Sequence, residues 1–212
     1  MTRDGPYLVS GCVPVCRQTI ITDPSGDAVR WRAGRKFKLR DRYALCRCGQ
    51  TKSPPFCDES HGHTGFDGTE TASRNPYLEQ ARALNGPALR LTDAVKLCAS
   101  ARFCLPSGGT WNLTRRSRHP DARDRAVEQA GNCPAGRLVA WGEDGRPLEP
   151  ALEPSIGLVE DPAMDARGPL WVRGGIPVIS ADGWTYETRN RVTLCRCGRS
   201  SNKPFCDGSH LD

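Results

Sequence analysis

Two stretches of the chain share one pattern of apolar and polar residues. GPYLVSGCVPVC (5–16) and GPLWVRGGIPVI (168–179) align without a gap, and each is typical of an apolar strand that ends in a turn. Each is followed by a polar segment and then by a 17-residue motif: LCRCGQTKSPPFCDESH (45–61) and LCRCGRSSNKPFCDGSH (194–210). The motifs agree at 11 of 17 positions. The pattern therefore predicts an internal repeat, with one copy near each end of the chain.

The first copy carries 14 more residues than the second between its strand and its motif. They include DPSG (23–26), a turn signal, and VRWRAGRKFKL (29–39), in which apolar and basic residues alternate. This alternation predicts two short strands around Ala33 and Gly34, with the basic side chains on one face. The face is the strongest basic patch of the sequence. It is typical either of a solvated sheet surface or of a surface that binds an anionic partner.

A different pattern occupies the middle of the chain. DARDRAVEQAGN (121–132) predicts a helix with alanines and Val127 on one stripe, and Asp121, after Pro120, is a candidate cap for its start. GRLVAW (136–141) predicts a strand. The Pro-, Gly- and acid-rich stretch 148–169 is typical of a linker. We therefore predict three units, at residues 1–66, 67–160 and 161–212, in an α+β fold.

The composition favours small cores that need additional stabilisation. Only 37% of the residues are hydrophobic, and Gly (22) and Pro (17) are abundant. We see no 18-residue apolar run and no apolar leader after the first methionine, so we expect a cytoplasmic, reducing environment. Eleven cysteines in such an environment indicate metal or redox chemistry rather than disulfides. The formal net charge of +6 is mild and fits a solvated, arginine-rich surface.

Each 17-residue motif offers three thiolates and one imidazole as candidate metal ligands. Cysteines two residues apart in an extended chain share a face, and a helix starting at Cys206 would bring that residue and His210 together. Zinc sites usually begin C-x2-4-C, whereas these motifs begin C-x-C, so the residues leave open a zinc ion or a two-iron cluster. The candidate ligands are Cys46, Cys48, Cys57 and His61 in the first motif, and Cys195, Cys197, Cys206 and His210 in the second.

The pattern C-R-C-G-x5-P-F-C-D-G-S-H resembles that of the CDGSH iron–sulfur proteins, the mitoNEET-like family. The second motif matches through His210, and the first carries Glu59 where the family has glycine. The resemblance implies a [2Fe–2S] cluster held by three cysteines and one histidine in each copy. It also implies β-rich units that pack side by side, here as an intramolecular pseudo-dimer in which the GPYLV and GPLWV strands pair. The resemblance covers about residues 5–66 and 168–212.

Three further cysteines lie in the middle region. KLCASARFCLPSGG (96–109) and GNCPAGRL (131–138) contain Cys98, Cys104 and Cys133, and Ala101 stands where bacterial ferredoxins have their second cysteine. The stretch 89–141 resembles divergent single-cluster ferredoxin-like domains. This resemblance implies a [3Fe–4S] or [4Fe–4S] cluster, while buried structural cysteines are the alternative. We expect Cys12 and Cys16 to be buried small hydrophobic residues, with a fourth ligand as their other possible role, and His63 and His119 to lie at the surface.

These patterns favour a protein that transfers electrons through two [2Fe–2S] clusters and a third, ferredoxin-like cluster. A cluster carrier or redox and pH sensor is the alternative, and a zinc-containing nucleic-acid-binding module is the third hypothesis. We find no nucleophile–base pair, phosphate loop or catalytic carboxylate pair, so an enzyme is not predicted. We expect a monomer whose partners are redox proteins or cluster acceptors, rather than nucleic acid or a membrane.

Overall fold

The computed structural model describes residues 1–38 and 40–212 of the chain. The fold is α+β and consists mostly of strands. The strands are β1 (Tyr7–Ser10), β2 (Val15–Thr22), β3 (Ala28–Lys36), β4 (Arg42–Leu45), β5 (Arg82–Asn85), β6 (Arg90–Asp93), β7 (Leu138–Trp141), β8 (Ser155–Asp161), β9 (Ala166–Arg173) and β10 (Arg191–Leu194). The helices are α1 (Tyr77–Gln80), α2 (Thr110–Arg115) and α3 (Pro120–Asn132). Short 3-10 helices lie at Ser60–His63, Val95–Leu97, Pro106–Gly108, Pro162–Met164 and Ser209–Leu211.

The two repeated segments have the same strand register. In the first, β1 and β4 form an antiparallel pair in which Tyr7 faces Leu45. In the second, β9 and β10 form an antiparallel pair in which Leu170 faces Leu194. These side chains share one buried apolar core with Ile156 of β8, so the two segments are packed together rather than separately.

The predicted pairing of the GPYLV and GPLWV strands is wrong. A strand has two edges, and those of β9 are occupied by β10 and β8 in a five-stranded sheet of order β10-β9-β8-β2-β3. β1 therefore pairs only with β4, in a separate two-stranded sheet. The expected linker is also partly wrong, because β8 lies within it. Ile156, Leu158 and Val159 of that strand are buried, and the flanking prolines and acids conceal this apolar run in the sequence.

The basic hairpin differs from its prediction. β3 is one strand through Ala33 and Gly34, and the hairpin turn lies earlier, at the DPSG signal, where Gly26 donates its backbone N–H to the Asp23 carbonyl oxygen. Gly34 lies beside a register shift in the β2–β3 pairing, and its α-carbon approaches Arg17 so closely that a Cβ would lie 3.3 Å from the Arg17 Cβ. Leu39, at the end of the predicted hairpin, is outside the described residues.

The middle of the chain has its own small core. α2 and α3 pack against the three-stranded sheet β5-β6-β7, burying Leu91, Leu113, Ala126 and Leu138. The predicted helix and strand are confirmed, but the predicted cap is wrong. Pro120 is the first residue of α3, so Asp121 lies inside the first turn, where its charge still favours the helix dipole. None of the helices in the described ranges is long and apolar enough to cross a bilayer.

Candidate metal centres

The C-x-C pairs lie directly after equivalent strands. Cys46 follows β4 and Cys195 follows β10. After each C-x-C pair the backbone bends back, at Gly49 in the first motif and at Gly198 in the second, and both glycines have left-handed conformations. The bend turns the two thiols of each pair toward each other. The sulfur–sulfur distance is 3.6 Å between Cys46 and Cys48. It is 3.8 Å between Cys195 and Cys197.

Each motif supplies a second donor pair, from its last cysteine and its histidine. The Sγ of Cys57 lies 3.5 Å from the Nδ1 of His61, and the Sγ of Cys206 lies 3.5 Å from the Nδ1 of His210. The helix predicted to start at Cys206 is not formed. Gly208 adopts a left-handed conformation and interrupts the chain, so only a 3-10 turn at Ser209–Leu211 carries the histidine.

The donor spacing fits two ligands on one tetrahedral ion. Two thiolates about 2.3 Å from such an ion are about 3.8 Å apart, and a thiolate and an imidazole are about 3.5 Å apart. The observed distances of 3.5 to 3.8 Å match these values in all four pairs. Within residues 1–38 and 40–212, no three or more His, Cys, Asp or Glu side chains form a group that could hold a single metal ion. The predicted ligands are thus arranged as pairs.

An aspartate organises each motif loop. Asp58 accepts hydrogen bonds from the backbone N–H of Lys52 (2.8 Å) and from the hydroxyl of Ser60 (2.6 Å). Asp207 accepts the equivalent bonds from Ser201 (2.7 Å) and Ser209 (2.6 Å). These bonds hold the pKa of both carboxyl groups well below the usual range; for Asp207 they outweigh its partial burial, which acts the other way. Sequence reasoning missed this role, although an aspartate at the same position of both copies is a usable signal.

Burial makes two of the motif thiols poor thiolates while no metal is bound. It raises the pKa of Cys206 to about 12 and raises the pKa of Cys48. Cys197 shifts the other way, because its contact with the Cys195 thiol, helped by Arg199, lowers its pKa to about 6. Burial, followed by the charge of Arg196, lowers the pKa of His210, which favours the neutral imidazole that metals bind. Metal binding at these sites would therefore release protons from the cysteines.

The two motifs are in direct and reciprocal contact. A Cβ at Gly49 would lie 2.6 Å from the Cys197 carbonyl oxygen, and a Cβ at Gly198 would lie 2.6 Å from the Cys48 carbonyl oxygen. The first segment also supports the second through Tyr7, which is buried and donates its hydroxyl to the Cys195 carbonyl oxygen at 2.8 Å. The two sets of predicted ligands are therefore neighbours.

The three middle cysteines line one small cavity. Cys98, Cys104 and Cys133 are brought together although 35 residues separate the first from the last. The loop between Cys98 and Cys104 has two non-glycine residues in left-handed conformations, Ser100 (φ 53°) and Arg102 (φ 63°). Alternation of this kind is typical of backbone that wraps an anionic group, iron–sulfur clusters included. Burial and the neighbouring Cys133 raise the pKa of Cys104 to about 11.

The second motif contacts this middle cavity. Cys206 shares an apolar cluster with Leu97 and Ala99. Leu97 immediately precedes the Cys98–Cys104 loop, and Ala99 lies within it. Gly208 is buried against the same loop, and a Cβ at Gly208 would lie only 2.5 Å from the Ser100 hydroxyl oxygen. The equivalent residue of the first motif, Glu59, is exposed. The glycine of the second motif thus has a steric reason that the first motif lacks.

The remaining cysteines and histidines lie elsewhere. Cys12 was expected to be buried but is exposed, because β1 has ended and Gly11 and Cys12 turn outward with positive φ. Cys16 is half-buried on β2, and neither residue lines the middle cavity. His63 and His119 are exposed, as predicted. All eleven cysteines are free thiols.

Comparison with family models identifies the two repeated segments and the middle segment separately. Residues 4–62 and 167–211 match the family described as iron-binding zinc finger, CDGSH type. Residues 84–143 match the family described as divergent 4Fe-4S mono-cluster. No curated protein and no solved structure matches the chain. The chain therefore consists of two CDGSH-type segments that flank a divergent 4Fe-4S mono-cluster segment.

Proposed function

We propose that the protein carries electrons between partner proteins through three iron–sulfur centres. When bound, such clusters accept and release single electrons. Each CDGSH segment would hold one [2Fe–2S] cluster, with its two cysteines of the C-x-C pair on one iron and its cysteine–histidine pair on the other. Cys98, Cys104 and Cys133 would hold a [3Fe–4S] or [4Fe–4S] cluster. The donor pairs at 3.5 to 3.8 Å, two per motif, support this assignment over a single zinc ion.

The spatial order of the three sites supports the proposed electron transfer. The first and second CDGSH sites interlock through Gly49 and Gly198, and the second contacts the middle cavity through Cys206 and Gly208. The second CDGSH site would therefore be the central one, with the first CDGSH site and the middle site on either side. The reciprocal contacts and the repeated strand register also support an intramolecular pseudo-dimer of the two CDGSH segments.

The two CDGSH sites would differ in reduction potential. Glu59 and Pro54 of the first motif stand opposite Gly208 and Lys203 of the second, so the first site has the more negative surroundings. Negative charge opposes reduction. One nearby surface charge shifts a reduction potential by an amount on the order of tens of millivolts. We therefore expect the second CDGSH site to be reduced before the first.

A redox titration of the metal-loaded protein followed by electron paramagnetic resonance tests both the order and the potentials. Fully reduced protein should show magnetic coupling between neighbouring centres. Cys57→Ser should remove the first site and leave the coupling of the second with the middle site. Cys206→Ser should remove the central site and thereby uncouple the two outer centres. Glu59→Gln should raise the potential of the first site only.

Two results would contradict the proposed order. Coupling between the outer sites that survives Cys206→Ser would place the second site outside the path. Three uncoupled signals in the native protein would mean that the sites do not form a relay. Arg30→Gln, an exposed change on β3 outside both motifs and outside the lining of the middle cavity, serves as the control and should leave all signals unchanged.

A further inference from the structure

The arginine of the C-R-C-G turn has different surroundings in the two CDGSH segments. Arg47 is buried, lies between the rings of Tyr7 and Phe66, and donates to the Gly68 carbonyl oxygen at 2.7 Å. Its equivalent, Arg196, instead lines a cavity of about 410 Å³ that opens to solvent. The first arginine is therefore covered by its own chain, whereas the second faces a space large enough for a small molecule.

The walls of this cavity are strongly basic. Arg17 and Arg32 come from the β2–β3 hairpin, Arg167 comes from β9, and Arg196 forms the inner end. Glu160 is the acidic lining residue, so four positive charges stand against one negative charge. The hairpin belongs to the extra residues of the first segment, which have no counterpart in the second. The basic alternation noted in the sequence thus forms one side of a cavity.

Three of the four arginines have guanidinium groups that are available for a ligand. Across residues 1–38 and 40–212, no ion pair or side-chain hydrogen bond engages the guanidinium of Arg17, Arg32 or Arg167. Arg196, whose side chain is only 11% exposed, donates to the Glu160 carboxylate at 3.4 Å, a long distance for a charged pair, and to the Val159 carbonyl oxygen at 3.2 Å. Guanidinium groups bind phosphate oxygens with two parallel hydrogen bonds. Burial strengthens such bonds, and here it applies to Arg196, because Arg17, Arg32 and Arg167 are exposed. Phe37 adds a flat apolar wall to the same cavity.

We propose that this cavity, here called the arginine pocket, binds a small phosphate-bearing molecule with at least two negative charges. A net charge of about three positive units matches a diphosphate, and the volume exceeds what inorganic diphosphate alone requires. The concave shape favours a small molecule over the surface of an acidic protein. Diphosphate would contact the arginines, and in a nucleoside diphosphate the base would lie along Phe37.

The pocket would also sense the redox state of the protein, an extension that rests on the proposed function. Arg196 lies between Cys195 and Cys197, and Pro54 of the first motif also lines the pocket. A bound anion would place negative charge beside both CDGSH sites and so make their reduction harder. By linkage, reduction of those sites would weaken anion binding by the same factor.

Titration calorimetry of the oxidised, metal-loaded protein with inorganic diphosphate and with ADP tests the pocket. Saturable binding at one site is expected, and Arg32→Gln/Arg167→Gln should weaken it by at least about tenfold, the equivalent of one charged hydrogen bond. The control Arg30→Gln/Arg118→Gln removes the same charge from exposed residues outside the pocket, and should change the affinity by less than about twofold.

Comparing diphosphate with ADP shows which part of the ligand the pocket recognises. Equal affinities would show that the phosphates supply the binding, and tighter ADP binding that is lost in Phe37→Ala would show that the base contributes. Absence of saturable binding, equal weakening by both double variants, or binding of an acidic peptide only would overturn the pocket. Because calorimetry needs no electron transfer, it separates this result from the proposed function. If the midpoint potentials do not fall with diphosphate present, the redox linkage is wrong even if the pocket is filled.

Discussion

Replacing Gly208 with glutamate, the residue of the first motif, is expected to lower the thermal midpoint by roughly 4–20 °C. Gly208 is buried with φ 96°, and a Cβ there would lie 2.5 Å from the Ser100 hydroxyl oxygen. A left-handed non-glycine residue costs about 1–2 kcal/mol, and overpacking costs about 1–3 kcal/mol more. The substituted protein should also lose the contact between the second CDGSH site and the middle site.

The reciprocal change, Glu59→Gly, is the matched control. Glu59 has φ 67° but is exposed, so glycine there relieves backbone strain without opening a buried contact. The thermal midpoint should stay the same or rise by up to roughly 4 °C, for a relief of about 1 kcal/mol. Thermal unfolding followed by circular dichroism compares the two variants. Equal effects of both changes would mean that Gly208 owes its identity to the turn alone and not to the middle loop.

The second large effect is expected at Arg191, which joins β10 to the middle of the chain. Its side chain is 1% exposed and is paired with Glu149, and it donates to the carbonyl oxygens of Cys133 and Ala130, each at 2.7 Å. Arg191→Met would remove the charged partner of the Glu149 carboxylate, which would keep only the Asn190 amide, and one of the donors to each of these carbonyl groups. Removing one member of a buried ion pair costs about 3–5 kcal/mol. Because Cys133 loses its support, the middle site should lose its metal before the CDGSH sites do.

Denaturant unfolding of three variants separates the causes. Arg191→Lys keeps the charge but not the planar fork, so it should be destabilised by less than Arg191→Met. Arg191→Met/Glu149→Met removes the unpaired acid as well and should recover part of the lost free energy of unfolding. If Arg191→Met were as stable as the native protein, Arg191 would not hold the second CDGSH segment to the middle segment.

The local features of the candidate sites could be predicted because short spacings constrain them. Two cysteines that are separated by one residue and followed by glycine face each other across a tight bend, and the 17-residue repeat gives both copies the same donor pairs. The turn at 23–26, the helix α3 and the strand β7 were likewise set by local chemistry. Here a few neighbouring residues determine the outcome.

The largest errors concern long-range contacts. The sequence predicts a linker where β8 lies, because prolines and acids flank its apolar residues. The run forms a strand because it pairs in parallel with β2, which is distant in the sequence, and antiparallel with β9. The pairing of β1 with β9 failed for the same reason, since β8 occupies the edge that β1 would need. No local pattern distinguishes Arg47 from Arg196, because each stands in the same C-R-C-G turn. Their difference arises from what the rest of the chain places over them.

Metal analysis of the purified protein, together with its visible spectrum, tests directly whether the chain binds three iron–sulfur centres. Three centres predict a brown-red protein with about seven or eight irons per chain, and about four irons after Cys98→Ser/Cys133→Ser. A native protein with about four irons would restrict the clusters to the two CDGSH segments. A colourless protein that contains zinc and no iron would contradict the account as a whole.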